Sequence, residues 1–358
     1  MGERRLQLEQ WLVENLKQMG IEPGFELTPA SGDASFRRYF RVIVDGDSFI
    51  AMDAPPEHED CRPFVTISKI LDEAGLHVPR VLRMDLEHGF LLLTDLGYKQ
   101  YLEVLDQHTV QPLYNDAMQA LLHMQKIRPP GDLLPDYSYD LLINEMALFR
   151  DWFVNACLGL TLSSGQEQML NETYEMLARL ALSQPQVWVH RDYHSRNLMW
   201  VDLDTVKQPV GRLKLVNPGI LDFQDAVIGP VCYDLVSLLR DCYISWPQQQ
   251  VVAWVEHYRR DMLASGLIAE TVTGDEFQRW FDWMGVQRHL KAIGIFARLD
   301  IRDGKPGYLP EIPRTLLYIL QVCHAYNELH PMHAWLQLLI APKVAELLGV
   351  DQGYFKTE

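Results

Sequence analysis

The sequence predicts an α+β protein, with a small β-rich first part followed by a larger, mainly helical one. Strand-like runs separated by turn residues fill much of residues 25–97, and helical periodicity dominates from 98 to the end. One island of short strand-like runs, from about Val187 to Ile228, interrupts those helices. The composition changes near residue 97, which divides the chain into domains 1–97 and 98–358. With 358 residues and 48% hydrophobic content, the chain can bury a large core.

The elements follow in order. Leu6, Leu8, Trp11, Leu12, Leu16 and Met19 recur at near-helical spacing, and Gly20 and Pro23 stop the pattern, so residues 3–19 form an amphipathic helix. A polar loop then leads into a hairpin, Tyr39–Val44 and Ser48–Met52, joined by Asp45-Gly46-Asp47. Phe64, Ile67, Ile70 and Leu71 share one face of a helix over 62–75, closed by Gly75. The runs VPRVLRMD and GFLLLTDLG add two strands. Helices over 110–126 and 139–157 flank the breaker IRPPGDLLPDYS.

Composition excludes some function classes. A net charge of −16 disfavours nucleic acid as a partner, because backbone phosphates are held by clustered Lys and Arg. No run approaches the ~18 consecutive apolar residues of a membrane span, and the N-terminus lacks the apolar core of a secretion signal. A cytoplasmic protein with no membrane association and no obligate protein partner is therefore expected. Cys61, Cys157, Cys232, Cys242 and Cys323 form no C-x-x-C pair and are expected to be buried thiols.

The stranded island carries the chemistry. In VHRDYHSRNLMW, residues 189–200, Asp192 and Asn197 stand five apart just before a strand-like run. Alone, the stretch reads either as a surface turn or as a phosphoryl-transfer loop, in which a carboxylate takes a proton from a hydroxyl and an amide oxygen binds a divalent cation. Downstream, GILDFQDAVIGPVCYDL places Asp222 at the end of an apolar run, where a carboxylate needs a cation or hydrogen-bond donors. If the intervening VDLDTVKQPVGRLKLV is a strand-turn-strand excursion, Asp222 returns beside Asn197. Two oxygen ligands of this kind suit Mg²⁺, whose other positions go to phosphate and water.

This pair of motifs resembles the catalytic loop and metal aspartate of the aminoglycoside phosphotransferase and choline kinase family. The resemblance implies a protein-kinase-like two-lobed fold, with a β-rich nucleotide-binding lobe and a mainly helical catalytic lobe. It implies Asp192 as catalytic base, Asn197 and Asp222 as Mg²⁺ ligands, ATP as co-substrate, and Thr94-Asp95-Leu96-Gly97 as the hinge that receives the adenine. It also implies that Asp234, in VCYDLVSLLRD, is a structural acid. The blocks SGDASFRRYFR, MDAPPE, HRDYHSRNLM, LDFQDAVIGPVCYDLVSLLRDCY and QRHLKAIGIFARL resemble, in order, the bacterial anomeric amino-sugar kinases. Those enzymes phosphorylate N-acetylmuramate and N-acetylglucosamine at the C1 hydroxyl in cell-wall recycling. The alternatives are a phosphotransferase for an aminoglycoside or other small alcohol, and a catalytically weak, pseudokinase-like nucleotide-binding module.

Two departures from the protein-kinase pattern stand out. Met52 occupies the region of the strand lysine, and no Lys occurs between Lys17 and Lys69. Arg37, Arg38 and Arg41 are the nearby cations, with Arg38 a candidate phosphate ligand. The loop Ser31, Gly32, Asp33, Ala34 and Ser35 has one glycine but is small enough for its N–H groups to face phosphate. Arg240, Asp241, Arg288 and His289 are the candidate substrate-binding residues, since a sugar needs hydrogen-bonding side chains and a lactyl carboxylate favours arginine.

Overall fold

A computed structural model describes residues 2–22, 24–32, 36–201 and 217–357, with Ser31 and Gly32 by backbone alone. Asp33, Ala34 and Ser35, and the excursion over 202–216, lie outside the described residues. Two compact units emerge from the chain: Met1–Ala120 with Arg196–Asp225, and Leu121–Ser195 with Ala226–Glu358.

The first unit begins with helix α1 (Gly2–Gln18) and strands β1 (Glu26–Gly32), β2 (Arg38–Val44) and β3 (Asp47–Asp53). Helix α2 (Arg62–Glu73) and strands β4 (Val81–Asp85) and β5 (Phe90–Thr94) follow, completing a sheet of order β1-β2-β3-β5-β4. Asp45 and Gly46 both take positive φ, 51° and 80°, as a two-residue hairpin turn requires. Leu8, Leu12 and Leu16, one stripe of α1, pack with Phe40, Val42, Val44, Phe49, Ala51, Phe90 and Leu92. The sequence reading differs from the structure in one element here. Residues 26–32 are a strand paired antiparallel to β2, with a register shift between Pro29 and Ser31. The short strand β6 (Lys99–Gln100) precedes helices α3 (Tyr101–Val104) and α4 (Val110–Gln125), and the boundary between the units falls inside α4.

The second unit holds α5 (Tyr139–Leu148), which continues as a π-helical segment, Phe149–Cys157, and then α6 (Ser164–Ser183). Strand β7 (Gln186–Val189) comes next. The chain returns to the first unit for β8 (Leu198–Trp200) and β9 (Gly219–Ile220), which join β6 in the order β6-β8-β9. Strand β10 (Val227–Pro230) pairs antiparallel with β7, so the stranded island of the sequence becomes two separate sheets. Helices α7 (Tyr233–Leu239), α8 (Gln248–Ala264) and α9 (Gly274–Asp303) follow, then α10 (Ile312–Ala325), α11 (His330–Trp335) and α12 (Ala341–Leu348).

Helix α9, 30 residues long, is the spine of this unit and packs against α5, α6, α7, α8 and α10. Gly294 lets it lie on the junction between α5 and the π segment, where a Cβ would stand 2.4 Å from the Leu148 carbonyl carbon. Four of the five cysteines are buried, Cys157 is partly so, and all are free thiols. Among the described residues, no helix is long and apolar enough to cross a membrane.

Candidate active site

The loop His190–Ser195 leaves β7 with four of its backbone N–H groups fixed by acids or by its own histidine. Asp234, fully buried in the first turn of α7, accepts from His190 N at 2.6 Å and from Arg191 N at 3.0 Å. Asp241 accepts from Ser195 N at 2.9 Å and from Tyr243 N at 2.9 Å. His190 Nδ1 accepts from Asp192 N at 3.2 Å. Arg191 takes φ of 78°, a left-handed conformation that costs a non-glycine residue about 1–2 kcal/mol. Its guanidinium donates to Glu145 of α5 at 2.5 Å, and Lys291 of α9 sits 3.0 Å from the same carboxylate oxygen. Tyr137 donates its hydroxyl to the other oxygen of Glu145. The turn is thus tied to α5, α7 and α9.

These charges set the state of Asp192. Burial pushes its carboxyl up, but Lys291, His194, Arg288 and His190 outweigh burial and hold it below the usual aspartate value. At neutral pH Asp192 is a carboxylate able to accept a proton. Glu145 follows the same logic: burial opposes its charge, while Lys291 and Arg191 keep the carboxyl low. Asp234 has no ion pair among the described residues, and burial pushes it up to about 6 despite its two N–H donors.

In the first unit, pairing of Leu198 with Ile220 and of Leu221 N with the Asn197 carbonyl at 2.9 Å brings Asn197 beside Asp222. Asn197 Nδ2 lies 3.4 Å from Asp222 Oδ2, and Gln224 Nε2 donates to Asp222 Oδ1 at 2.6 Å. Asp222 takes φ of 63° just before buried Phe223, whose ring packs on Phe64 of α2 at 4.9 Å. Side-chain oxygens of Asn197 and Asp222 are hard donors. No group of three or more His, Cys, Asp or Glu suited to a metal occurs among the described residues. Such a pair fits Mg²⁺, which binds few protein ligands and keeps positions for phosphate and water, better than it fits zinc or calcium.

The remaining candidates are distributed as follows. Arg38 pairs with wholly buried Asp53, which also accepts from Arg4 Nε at 3.0 Å. Thr94 N donates to the Arg80 carbonyl at 3.0 Å, and Asp95 accepts from Arg41 at 2.6 Å and from Gly97 N at 2.9 Å, next to buried Leu96. Ser31 and Gly32 end β1. Met52 is fully buried in β3, across from Tyr39 and Leu91. Arg37 is bound to Glu59 at 2.9 Å and reaches to 4.0 Å from Asp222. In the second unit, Arg240 pairs with Asp282 at 2.6 Å. His289 donates from Nε2 to the Arg240 carbonyl at 2.9 Å; burial pushes this ring down to about 3, so it is neutral. Arg288 is also buried in α9.

The sequence profile of the phosphotransferase enzyme family, APH, matches residues 26–267 and so spans both halves of this machinery. The chain belongs to this family. Two further comparisons agree with membership in APH. The N-acetylmuramate/N-acetylglucosamine kinase of Pseudomonas putida is 45% identical over 332 residues, covering 91% of this chain and 94% of the relative. That of Neisseria meningitidis serogroup B is 41% identical over 349 residues, covering 96% and 98%. Among solved structures, the ADP-bound aminoglycoside phosphotransferase APH(2″)-Ib superposes with a TM-score of 0.55 at 13% identity, covering 98% of this chain and 99% of that one. The fold is therefore the protein-kinase-like α+β fold of the APH phosphotransferases. Glu145, Lys291 and Gln224 escaped the sequence reading. Lys291 lies inside the block QRHLKAIGIFARL, but a single acid in α5 carries no signal of its own.

Proposed function

We propose that this APH phosphotransferase is an amino-sugar kinase, transferring the γ-phosphoryl group of ATP to the C1 hydroxyl of N-acetylmuramate or N-acetylglucosamine in cell-wall recycling. The observation that carries this reading is the similarity of nearly the whole chain to enzymes of that name, at 41–45% identity. The ionised Asp192, on a loop pinned by Asp234 and Asp241, supplies the matching chemistry. ATP as phosphoryl donor is supported by the ADP-bound structural neighbour.

In this reading residues 1–97 bind the nucleotide and 98–358 carry catalysis and acceptor recognition. Asp192 orients the acceptor hydroxyl and takes its proton as the new O–P bond forms and ADP leaves with the electrons of the broken bond. Because charge in such a transition state spreads over the phosphate oxygens, positioning and electrostatics supply most of the catalysis. Asn197 and Asp222 would hold Mg²⁺, which neutralises phosphate charge when bound. Gln224 keeps the Asp222 carboxylate oriented. With Met52 apolar and buried, Arg37, 4.0 Å from Asp222, is the cation best placed to replace the strand lysine. Ser31–Ser35 and Arg38 would line the phosphates, the backbone of Thr94–Leu96 would receive the adenine, and Arg240, Asp241, Arg288 and His289 would shape the acceptor side.

Incubation with ATP, Mg²⁺ and N-acetylmuramate, N-acetylglucosamine or kanamycin, followed by phosphorus NMR of the products, tests the assignment. An anomeric phosphate on the amino sugars is expected. Product from kanamycin alone overturns it.

A further inference from the structure

Three basic side chains are buried along or against α9, and two of them have their acids in place. Arg240 is paired with Asp282 at 2.6 Å, and Lys291 with Glu145 at 3.0 Å. Arg288 differs. It is 5% exposed, and among the described residues its guanidinium has no carboxylate within 4.0 Å; its one hydrogen bond runs from Nη1 to the Cys242 Sγ at 3.8 Å. Its Nε is buried without a partner. A thiol is a weak acceptor, and a buried guanidinium left without an anion is costly. Asp192 and His194 of the His190–Ser195 loop, and Asp241 that holds its end, all lie within electrostatic reach of it. Two more buried polar atoms on that loop, His194 Nδ1 and Ser195 Oγ, also have no hydrogen-bond partner among the described residues. Buried polar groups in native proteins are nearly always satisfied, by protein, water or a ligand, so three such atoms in one neighbourhood mark a place where a polar ligand can bind.

We infer that Arg288 is the receptor for a carboxylate on the acceptor sugar, with His194 and Ser195 hydrogen-bonding the same molecule, so that the acidic N-acetylmuramate is preferred over neutral N-acetylglucosamine. This rests on the amino-sugar kinase reading and names the residue that selects between its two acceptors. The fork of N–H groups on arginine matches a carboxylate in two-point contact, which a hydroxyl cannot reproduce. Arg240, whose charge is met by Asp282 through Nη2, and His289, whose Nε2 is bound to backbone, then act as support for the helix that presents Arg288.

The wild-type protein decides the matter without any variant. Its kcat/KM is measured for N-acetylmuramate, for the derivative in which the lactyl carboxylate is a carboxamide, and for N-acetylglucosamine. A drop of roughly 10- to 100-fold from acid to carboxamide is expected, the range for a hydrogen-bonded charge; equal values for the two overturn the inference while leaving the amino-sugar kinase standing. Turnover of none of the three overturns the proposed function itself. Arg288→Met and Arg288→Lys add a second readout, the ratio of kcat/KM between acid and neutral sugar. Arg288→Met is expected to collapse that ratio and Arg288→Lys to restore part of it. Equal losses on both sugars would place Arg288 on the transferred phosphoryl group instead and overturn the carboxylate assignment.

Discussion

Asp234 and Arg191 are joined through backbone: the carboxylate of the first accepts the N–H of the second at 3.0 Å while its other oxygen accepts the N–H of His190 at 2.6 Å. A carboxylate has two acceptors, and both are used. In Asp234→Asn one of those positions becomes an N–H₂ group opposed to an N–H donor. The unsatisfied buried donor costs about 1–3 kcal/mol, while the amide also escapes the burial penalty that pushes the Asp234 carboxyl up, so kcat is expected to fall with little change in unfolding free energy. Steady-state kinetics beside urea unfolding followed by circular dichroism measure the two, and an unchanged kcat would show that the loop does not depend on this acid.

Asp192 stands one residue beyond that anchor, and the role of base proposed for it predicts a separable effect. Asp192→Asn keeps the side-chain shape but cannot take a proton, so kcat is expected to fall roughly 10²–10⁴-fold. Affinity for ADP, measured by calorimetry, is expected to remain near wild type. Turnover within tenfold of wild type would remove Asp192 from the role of base.

The two acids also divide the pH profile. Asp192 is held below the ordinary aspartate value because nearby cations outweigh burial, so it stays ionised throughout the mildly acidic range. Burial raises Asp234 to about 6. Since only its carboxylate offers two acceptors to the loop, kcat is expected to rise with pH through about 6. The stability term has the opposite sign: with a folded value above the unfolded one near 3.8, Asp234 contributes fully below that value and loses its contribution as pH rises through about 6. A kcat profile flat from pH 5 to 8 would contradict the first half, and pH-dependent unfolding of wild type against Asp234→Asn checks the second.

Much of this was legible in the sequence because the signals were local. The hairpin of β2 and β3 announces itself through Asp45-Gly46, and Asn197 and Asp222 each close a polar motif beside an apolar run. Strand β1 was hidden because ELTPASG has no clean alternation and is held by its pairing with β2. The π segment Phe149–Cys157 was hidden because its apolar spacing, FRDWFV, is that of an ordinary helix. Glu145 was the hardest to see. Its partners Arg191 and Lys291 come from a loop and a helix far along the chain, and only tertiary packing reveals that this acid faces inward.

Glu145 therefore carries the next prediction. Its carboxylate is shared by Arg191, Lys291 and the Tyr137 hydroxyl in a buried setting. Removing one member of a buried ionic cluster leaves uncompensated charge, so Glu145→Ala is expected to cost about 3–5 kcal/mol. Because the folded carboxyl is depressed below its ordinary value of 4.5, its stabilisation is present above that pH and is lost as pH falls below it. Unfolding curves at pH 7 and pH 4 should differ more for wild type than for Glu145→Gln; equal differences would count against the cluster.

Gly294 tests the packing that holds these groups in place. A Cβ there would meet the Leu148 carbonyl carbon at 2.4 Å, the Leu148 Cβ at 2.6 Å and the Phe149 N at 2.6 Å. Two of those three atoms are backbone, so no rotamer change relieves the clash, and α9 must move away from the α5 junction. Overpacking of this kind costs about 1–3 kcal/mol, and Gly294→Ala is expected to lie in that range. Its consequence for function differs from that of a surface change, because α9 carries Arg288 and Lys291 while α5 carries Glu145. A shift between the two helices would lengthen the Glu145–Lys291 pair and loosen Arg191. Gly294→Ala should therefore lower kcat more than it raises KM for the sugar, measured well below its melting temperature. A variant that loses stability but keeps kcat would show that the helix spacing and the loop are independent.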